Sequence, residues 1–214
     1  MKTVISITLL VLVAVPLLGQ GTAPQPPPQA ADQAANPWAF SVTLDGYIVP
    51  HEPGYASPIF TADHNWHFEA RYNYENLDTG SLWFGYDFNI GKKVKLTLTP
   101  MIGGVVGDTR GIGPGLETTV SWKKLQFYAA SEYVFDTTHA AGSFFYSWPQ
   151  LSYSVLSWLR LGVVAQHTKA YHTSLNTQRG FLVGVNYKEA QFTTYVFDPE
   201  LSTPTVVLEV GYNF

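Results

Sequence analysis

The sequence contains no cysteine among its 214 residues, which excludes disulfide bonds, thiolate metal sites and a lipid anchor on cysteine. Charged residues are also scarce, at 13%, about half the proportion of a typical soluble protein. Beyond residue 18 no apolar run approaches the ~20 residues that a membrane-spanning helix requires. No later segment shows the 3.6-residue periodicity of an amphipathic helix. The net charge of −4, without a basic patch, argues against nucleic acid as a partner.

The N-terminus has the pattern of a secretory signal peptide, predicted over residues 1–19. Lys2 is the only charge before a continuous apolar run from Val4 to Leu18, which is too short and wrongly flanked for a stable membrane anchor. Residues 20–36 are rich in Pro, Gln and Ala and predict a flexible leader. The remaining residues, 37–214, are enough for a single domain.

Alternation of apolar and polar residues is the dominant pattern of that domain. Its period of two predicts β-strands with one apolar and one polar face. The predicted strands are Trp38–Val49, Trp66–Glu75, Leu82–Ile90, Val94–Val105, Leu116–Trp122, Leu125–Asp136, Phe144–Tyr153, Leu159–Thr168, Phe181–Lys188, Gln191–Asp198 and Val206–Phe214. The connections are short on one side and longer, with more Gly, Ser, Thr and Asp, on the other. That arrangement is typical of an all-β, transmembrane, antiparallel up-and-down β-barrel.

The number of strands has to be even in such a barrel, because both termini lie on the same side. The segments above make an odd number, so another strand is expected between the first two. Tyr55–Ala62 is the candidate, although Pro58 lacks the N–H that a regular ladder uses. With this segment the sequence predicts twelve strands, and ten is the alternative.

The chain ends in an alternating strand with aromatic residues close to the terminal carboxylate. Its apolar face carries Leu208, Val210, Tyr212 and Phe214. This strand resembles the closing strand of bacterial outer-membrane β-barrel proteins, of the small porin-like class. The resemblance implies export through the Sec pathway to the outer membrane, contact with lipid and lipopolysaccharide, and recognition of the terminal strand by the barrel-assembly machinery. We further expect this strand to pair antiparallel with Trp38–Val49.

Charged residues in mid-strand identify the polar face as the lumen, because a charge facing lipid costs roughly 2–4 kcal/mol. The predicted lumen-lining residues are Glu69, Arg71, Asp87, Lys95, Glu117, Glu132, Arg160, Lys188 and Glu209. The opposite face is rich in Trp, Phe, Leu and Val and is predicted to contact lipid. A soluble, lipocalin-like barrel is the alternative, with those large apolar residues inside around a ligand.

The predicted lumen admits two functions. Its charged groups either line a narrow channel for passive passage of small polar solutes, or form a network that fills a structural or adhesion barrel. Barrels of eight strands are filled by side chains and those of sixteen conduct freely, so twelve strands lie between these limits. Trp83 and Tyr128 share the polar parity and are predicted to narrow the bore. The sequence identifies neither the solute nor the oligomeric state.

A short aromatic motif recurs at three predicted strand ends. Residues 133–136 (YVFD) recur at 195–198, and residues 72–75 (YNYE) have the same form. Each instance stands just before a longer loop. We therefore predict an aromatic girdle at the boundary between lipid and water, with the acid beginning the solvated loop.

A lipid-modifying hydrolase is the third function considered. His172 and Ser174 have the His-x-Ser spacing that resembles the lipid A deacylases, in which the base can activate the nucleophile. The segment is a predicted loop, however, and Asn186 stands where that family has its acid. The histidines show no metal-ligand spacing, so neither a metal nor a cofactor is predicted.

Overall fold

The computed structural model describes residues 38–138, 142–170 and 176–214. The predicted signal peptide and leader lie outside these residues, as do His172 and Ser174. Within the described ranges no helix is long and apolar enough to cross a membrane.

The described chain folds almost entirely into β-strands, because its segments alternate and are rich in β-branched and aromatic residues. The strands are β1 (Ala39–Ile48), β2 (Tyr55–Asp63), β3 (Trp66–Tyr72), β4 (Thr79–Tyr86), β5 (Phe88–Ile90), β6 (Lys95–Gly107), β7 (Gly111–Trp122), β8 (Leu125–Asp136), β9 (Phe144–Ser154), β10 (Leu159–Ala170), β11 (Asn176–Tyr187), β12 (Ala190–Phe197) and β13 (Thr205–Asn213).

These strands form one closed antiparallel barrel. β4 and β5 both pair with β6, so they are two halves of a single barrel strand that is interrupted at Asp87. β13 pairs with β1 from Ser41↔Asn213 to Ile48↔Val206, which closes the sheet. The predicted barrel of twelve strands is therefore confirmed. The predicted pairing of the first and last strands is also present in the structure.

The connections define two ends of the barrel. The turn end has the shorter links, such as 64–65, 123–124 and 188–189, together with the C-terminal residue Phe214. The loop end has the longer links, such as 49–54 and 198–204. In outer-membrane barrels the short turns face the periplasm, so the turn end is assigned to that side.

The additional strand predicted at Tyr55–Ala62 is β2. Its register with β1 runs without a bulge through Leu44↔Pro58. Its pairing with β3 begins only beyond the proline, at Ile59↔Arg71. Pro58 therefore stands where β2 has no ladder partner on the β3 side, and this placement is how a regular strand tolerates it.

The two faces of the sheet have opposite chemistry. On β4, Leu82 is 71% exposed whereas its neighbour Trp83 is 2% exposed. Ile102 and Val106 on β6 and Val163 on β10 are likewise exposed on the outer face. A closed barrel with a large apolar outer surface spans a membrane, so the chain is an outer-membrane barrel and the soluble, lipocalin-like alternative is wrong.

The predicted starts of two strands were wrong. β11 begins at Asn176, whereas the prediction began at Phe181. β7 begins at Gly111, whereas the prediction began at Leu116. Gly111, Gly113 and Gly115 alternate on the inner face, and Trp83 lies against that wall. A Cβ on Gly115 would stand 3.0 Å from the Trp83 ring, so small residues here are a packing requirement of a strand and not a loop signal.

The predicted aromatic girdle is correct for residues 133–136, correct in part for 72–75 and wrong for 195–198. In the second motif Tyr72 is exposed on the outer face, whereas Tyr74 packs against the interior. Phe135 is exposed on the outer face, but Tyr195 and Phe197 are buried inside the barrel. Glu75 does not begin a solvated loop either, because its side chain is fully buried. The same sequence motif therefore occurs on opposite faces of the barrel, because the position of each residue in the alternation along its strand decides which face it takes.

Candidate functional site

A polar cavity of about 310 Å³ occupies the turn half of the barrel. Its mouth is lined by residues next to the short turns, including Asp63, Asn89 and Asn213. Its inner end is lined by Tyr47 and Trp148, which belong to the cluster described below. The cavity thus extends from the turn end to about the middle of the barrel.

An arginine-centred network lies beside this cavity. Arg71 donates hydrogen bonds from Nη2 to Glu69 Oε2 (2.6 Å) and from Nη1 to Glu132 Oε2 (2.7 Å). Nη1 is also 3.5 Å from Glu75 Oε1. The guanidinium lies over the Tyr74 ring at 4.3 Å. One buried cation therefore holds three buried acids from β3, β8 and the 73–78 loop, which ties that loop into the barrel.

Trp83 completes the network from the β4 side. Its Nε1 donates to Glu75 Oε1 at 2.9 Å, and the hydroxyl of Ser81 donates to the same oxygen at 2.6 Å. The Trp83 ring also lies 5.1 Å from the Arg71 guanidinium. The sequence prediction that Trp83 narrows the bore agrees with this position on the inner face.

Two acids on the same wall are held by hydroxyl groups. The Tyr128 hydroxyl donates to Glu117 Oε1 at 2.8 Å. The Thr99 hydroxyl donates to Asp87 Oδ1 at 2.6 Å, and Asp87 is the residue at which β4 and β5 separate. Neither hydrogen bond supplies a positive charge to these two acids.

A second, smaller network lies on the opposite wall. Arg160 Nη2 donates to Thr193 Oγ1 at 2.7 Å and lies 3.7 Å from Glu209 Oε1. The Tyr195 hydroxyl donates to Glu209 Oε2 at 2.9 Å. Asp45 stands directly across the ladder from Glu209, and its Oδ1 is buried without a hydrogen bond. Two acidic groups are therefore adjacent on this wall, and repulsion between them disfavours full ionisation of both.

The loop half of the interior has two sides: the arginine network lies on the side of β3, β4 and β8, and apolar and aromatic side chains from β1 and β9–β13 fill the other. This interior aromatic cluster consists of Tyr47, Tyr146, Trp148, Val164, Leu182, Tyr195, Phe197 and Val207. The Trp148 ring meets both the Tyr195 and the Phe197 rings edge-on at 5.1 Å. Edge-to-face contacts of this kind stabilise a packed interior. The cavity ends at this cluster.

Most of the predicted lumen-lining residues point into the interior. They are Glu69, Arg71, Asp87, Glu117, Glu132, Arg160 and Glu209. Lys95 is the exposed first residue of β6 and does not line the cavity. Lys188 differs from the prediction. It lies in the turn after β11 with a φ of 53°, and its Nζ is over the outward-facing Tyr187 ring because the strand ends one residue earlier.

Several interior groups were absent from the predicted set. Asp45, Asp63 and His67 line the cavity, and Glu75 joins the arginine network. His67 has the parity of Glu69 and Arg71, and Asp45 has the parity of Thr43, so alternation would have found both. Glu75 lies in a loop that folds inward, and it has the parity of Glu69 and Arg71 within the predicted strand Trp66–Glu75, so alternation marked it as well.

The charges of the cavity are strongly unbalanced among the residues that the structure describes. Its lining contains six carboxylates and one arginine, Arg160, together with His64 and His67. The carboxylates are Asp45, Asp63, Glu69, Asp87, Glu117 and Glu209. Arg71 offsets part of this charge through Glu69. The lining therefore has more acidic than basic side chains.

No family model matches this sequence, and no curated protein is detectably similar to it. Solved structures do share the fold. The KdgM porin is 11% identical with a TM-score of 0.59, over 81% of this chain and 99% of that chain. The NanC porin is 12% identical with a TM-score of 0.53, over 81% of this chain and 98% of that chain. The KdgM porin in complex with disordered oligogalacturonate has a TM-score of 0.58. The likeness shows that the chain has the fold of small porins.

Proposed function

We propose that the protein is a narrow outer-membrane channel for passive passage of small polar solutes, with a preference for cations. The observation that carries this proposal is the cavity with six carboxylates and one arginine inside a porin-like barrel. Rings of acidic side chains select cations in other channels, because a partly dry bore strengthens each charge.

The proposed preference separates this chain from the porin that it resembles. The KdgM porin has been solved with oligogalacturonate, which is a chain of acidic sugars. The cavity here is lined mainly by acids, so it repels a polyanion. We therefore expect small cations and neutral polar solutes to pass, and oligogalacturonate to be excluded.

Planar-bilayer recordings in a KCl gradient test the proposal. The expected result is stepwise conductance with a reversal potential on the cation-selective side. The double variant Asp87→Asn and Glu117→Gln should shift that potential toward zero, because two negative charges leave the bore. Glu200→Gln is the matched control, since Glu200 is exposed in a loop and removes the same charge outside the cavity. Anion selectivity in the wild type would overturn the preference for cations.

A structural or adhesion barrel with a filled interior is the second candidate. It is favoured by the interior aromatic cluster, which fills one side of the loop half beyond the cavity. The same recordings separate the two functions. A folded, membrane-inserted protein that gives no conductance steps and no liposome permeability supports the filled barrel and contradicts the channel. The porin fold favours either function over a hydrolase.

A further inference from the structure

His67, Glu69 and Glu117 bring three metal-binding side chains together inside the cavity. His67 and Glu69 lie two residues apart on the inner face of β3, and Glu117 reaches them from β7. One potential ligand atom from each lies within 4.8 Å of the others. Gly85 on β4 is paired with His67 and adds no side chain to the wall between β3 and β7. The group borders the cavity, because all three residues line it.

The imidazole of His67 is oriented for such a role. Its Nδ1 lies 2.6 Å from Asp63 Oδ1, and a carboxylate only accepts, so Nδ1 carries the proton in this contact. In the neutral ring the lone pair then belongs to Nε2. A carboxylate that holds the far nitrogen of a metal-binding histidine is a recurrent arrangement in metal sites.

The free nitrogen of His67 points into the acidic group without a hydrogen-bond partner. The side chain of His67 is only 6% exposed, and Nε2 is buried with no hydrogen bond. The nearest acid oxygen, Glu69 Oε2, is 3.6 Å away, which is too long for a hydrogen bond. Leaving a buried polar atom unsatisfied is unfavourable, so this atom needs a partner that the protein does not supply.

We propose that His67 Nε2, Glu69 and Glu117 form a binding site for a divalent transition-metal ion of the Zn²⁺ type. One neutral imidazole and two carboxylates match the donors and the charge that Zn²⁺ accepts, and leave a fourth position open to the cavity. Bond lengths of about 2.0–2.2 Å require the three donors to move closer together, which side-chain rotation allows. Tyr128 and Arg71 hold the two carboxylates from outside, at Glu117 Oε1 and Glu69 Oε2.

The test is a metal titration of protein purified from outer membranes without an affinity tag and stripped with chelator. Co²⁺ serves as the spectroscopic probe, and Zn²⁺ is followed by calorimetry. We expect one equivalent to bind saturably, with visible Co²⁺ bands that Zn²⁺ displaces. The variants His67→Ala and Glu117→Gln should abolish these bands. Asp63→Asn should weaken Zn²⁺ binding by about 10- to 100-fold, because it loosens the orientation of the ring.

His51→Asn is the matched control, because it removes an exposed loop histidine with a positive φ that Asn tolerates. Heat-modifiable migration on gels reports whether each variant is folded. If His67→Ala fails to fold, the near-isosteric Glu117→Gln and Asp63→Asn variants carry the test. The proposed site would be overturned if no saturable binding is found, or if all three variants still bind the metal. His67 would then be an imidazolium that pairs with Asp63 and Glu69. This result is independent of conductance, so it distinguishes failure of the site from failure of the channel.

Discussion

Trp83 shows how one large side chain determines the residues on neighbouring strands. It is buried on the inner face of β4, where its indole donates to Glu75. Gly103 on β6 faces the ring so closely that a Cβ there would stand 2.3 Å from Trp83 Cδ2. Gly104, the next residue, has no atom within 4 Å of the same position on the outer face. Two adjacent glycines therefore stand in opposite environments.

We predict that Gly103→Ala destabilises the barrel by about 1–3 kcal/mol, because the added methyl group forces Trp83 or the strand to move. Gly104→Ala is the matched control and should leave the stability unchanged or slightly raise it, since its methyl group faces lipid and reduces the freedom of the unfolded chain. Urea unfolding in detergent micelles, followed by tryptophan fluorescence, measures both. Equal stability of the two variants would contradict the packing role assigned to Gly103.

The alternation of side chains along each strand explains why the predicted lumen-lining acids and bases lie inside the barrel. Glu69, Glu117, Arg160 and Glu209 lie on inward positions because a strand side chain takes one of only two directions. The grouping of His67 with Glu117 had no such signal. The two residues are far apart along the chain and meet because the curved wall of β3, β4, β6 and β7 brings their inward side chains together. Spacing along the sequence therefore could not reveal this group.

At the scale of the element, β13 closes the barrel and carries the residues of the predicted assembly signal. Leu208, Val210 and Tyr212 face outward, and Glu209 faces inward. The backbone N–H of Phe214 donates to Phe40 O at 2.9 Å, beyond the last residue of the strand. The terminal residue thus extends the seam between β13 and β1.

We predict that deletion of Phe214 impairs insertion into the outer membrane, because the assembly machinery is proposed to read the aromatic terminus and because one seam hydrogen bond is lost. Phe192→Ala is the control, since it removes a lipid-facing phenyl group from the neighbouring strand without changing the terminus. The measurement is the amount of heat-modifiable protein in purified outer membranes. Normal amounts after the deletion, or an equal loss in the control, would refute a signal role for Phe214.

Alternation predicted that the strands exist, but it did not predict where some of them begin and end. Gly111, Gly113 and Gly115 suggested a loop because glycine is a poor strand former. Close contact explains them: the β8 backbone lies against Gly111 and Gly113, and the Trp83 ring lies against Gly115. Tyr195 and Phe197 suggested a girdle because they stand at a strand end. They share parity with Thr193, which is buried inside the barrel, so the alternation along β12 indicates that they face inward. Local composition misled where period-two alternation would have succeeded.

The whole molecule has two unlike halves along the barrel axis. The turn half contains the acidic cavity, and the loop half contains the interior aromatic cluster. Alternation predicted which face is inside, but it holds no information on how deeply side chains fill the bore, because that depends on which residues meet from distant strands. A barrel of twelve strands is wide enough for either outcome, so the residues at each level decide it.

In the proposed channel, the interior aromatic cluster is the barrier that a solute has to pass. We predict that Trp148→Ala raises the single-channel conductance, because the cavity then extends toward the loop end past Tyr195 and Phe197, the rings that Trp148 contacts. The same change should lower the free energy of unfolding by about 3–5 kcal/mol, since a large buried side chain is lost. Phe181→Ala is the matched control, because it removes an aromatic ring from the lipid face. Heat-modifiable migration on gels confirms that both proteins are folded. Equal single-channel conductance of wild type and Trp148→Ala would then show that the cluster does not limit passage.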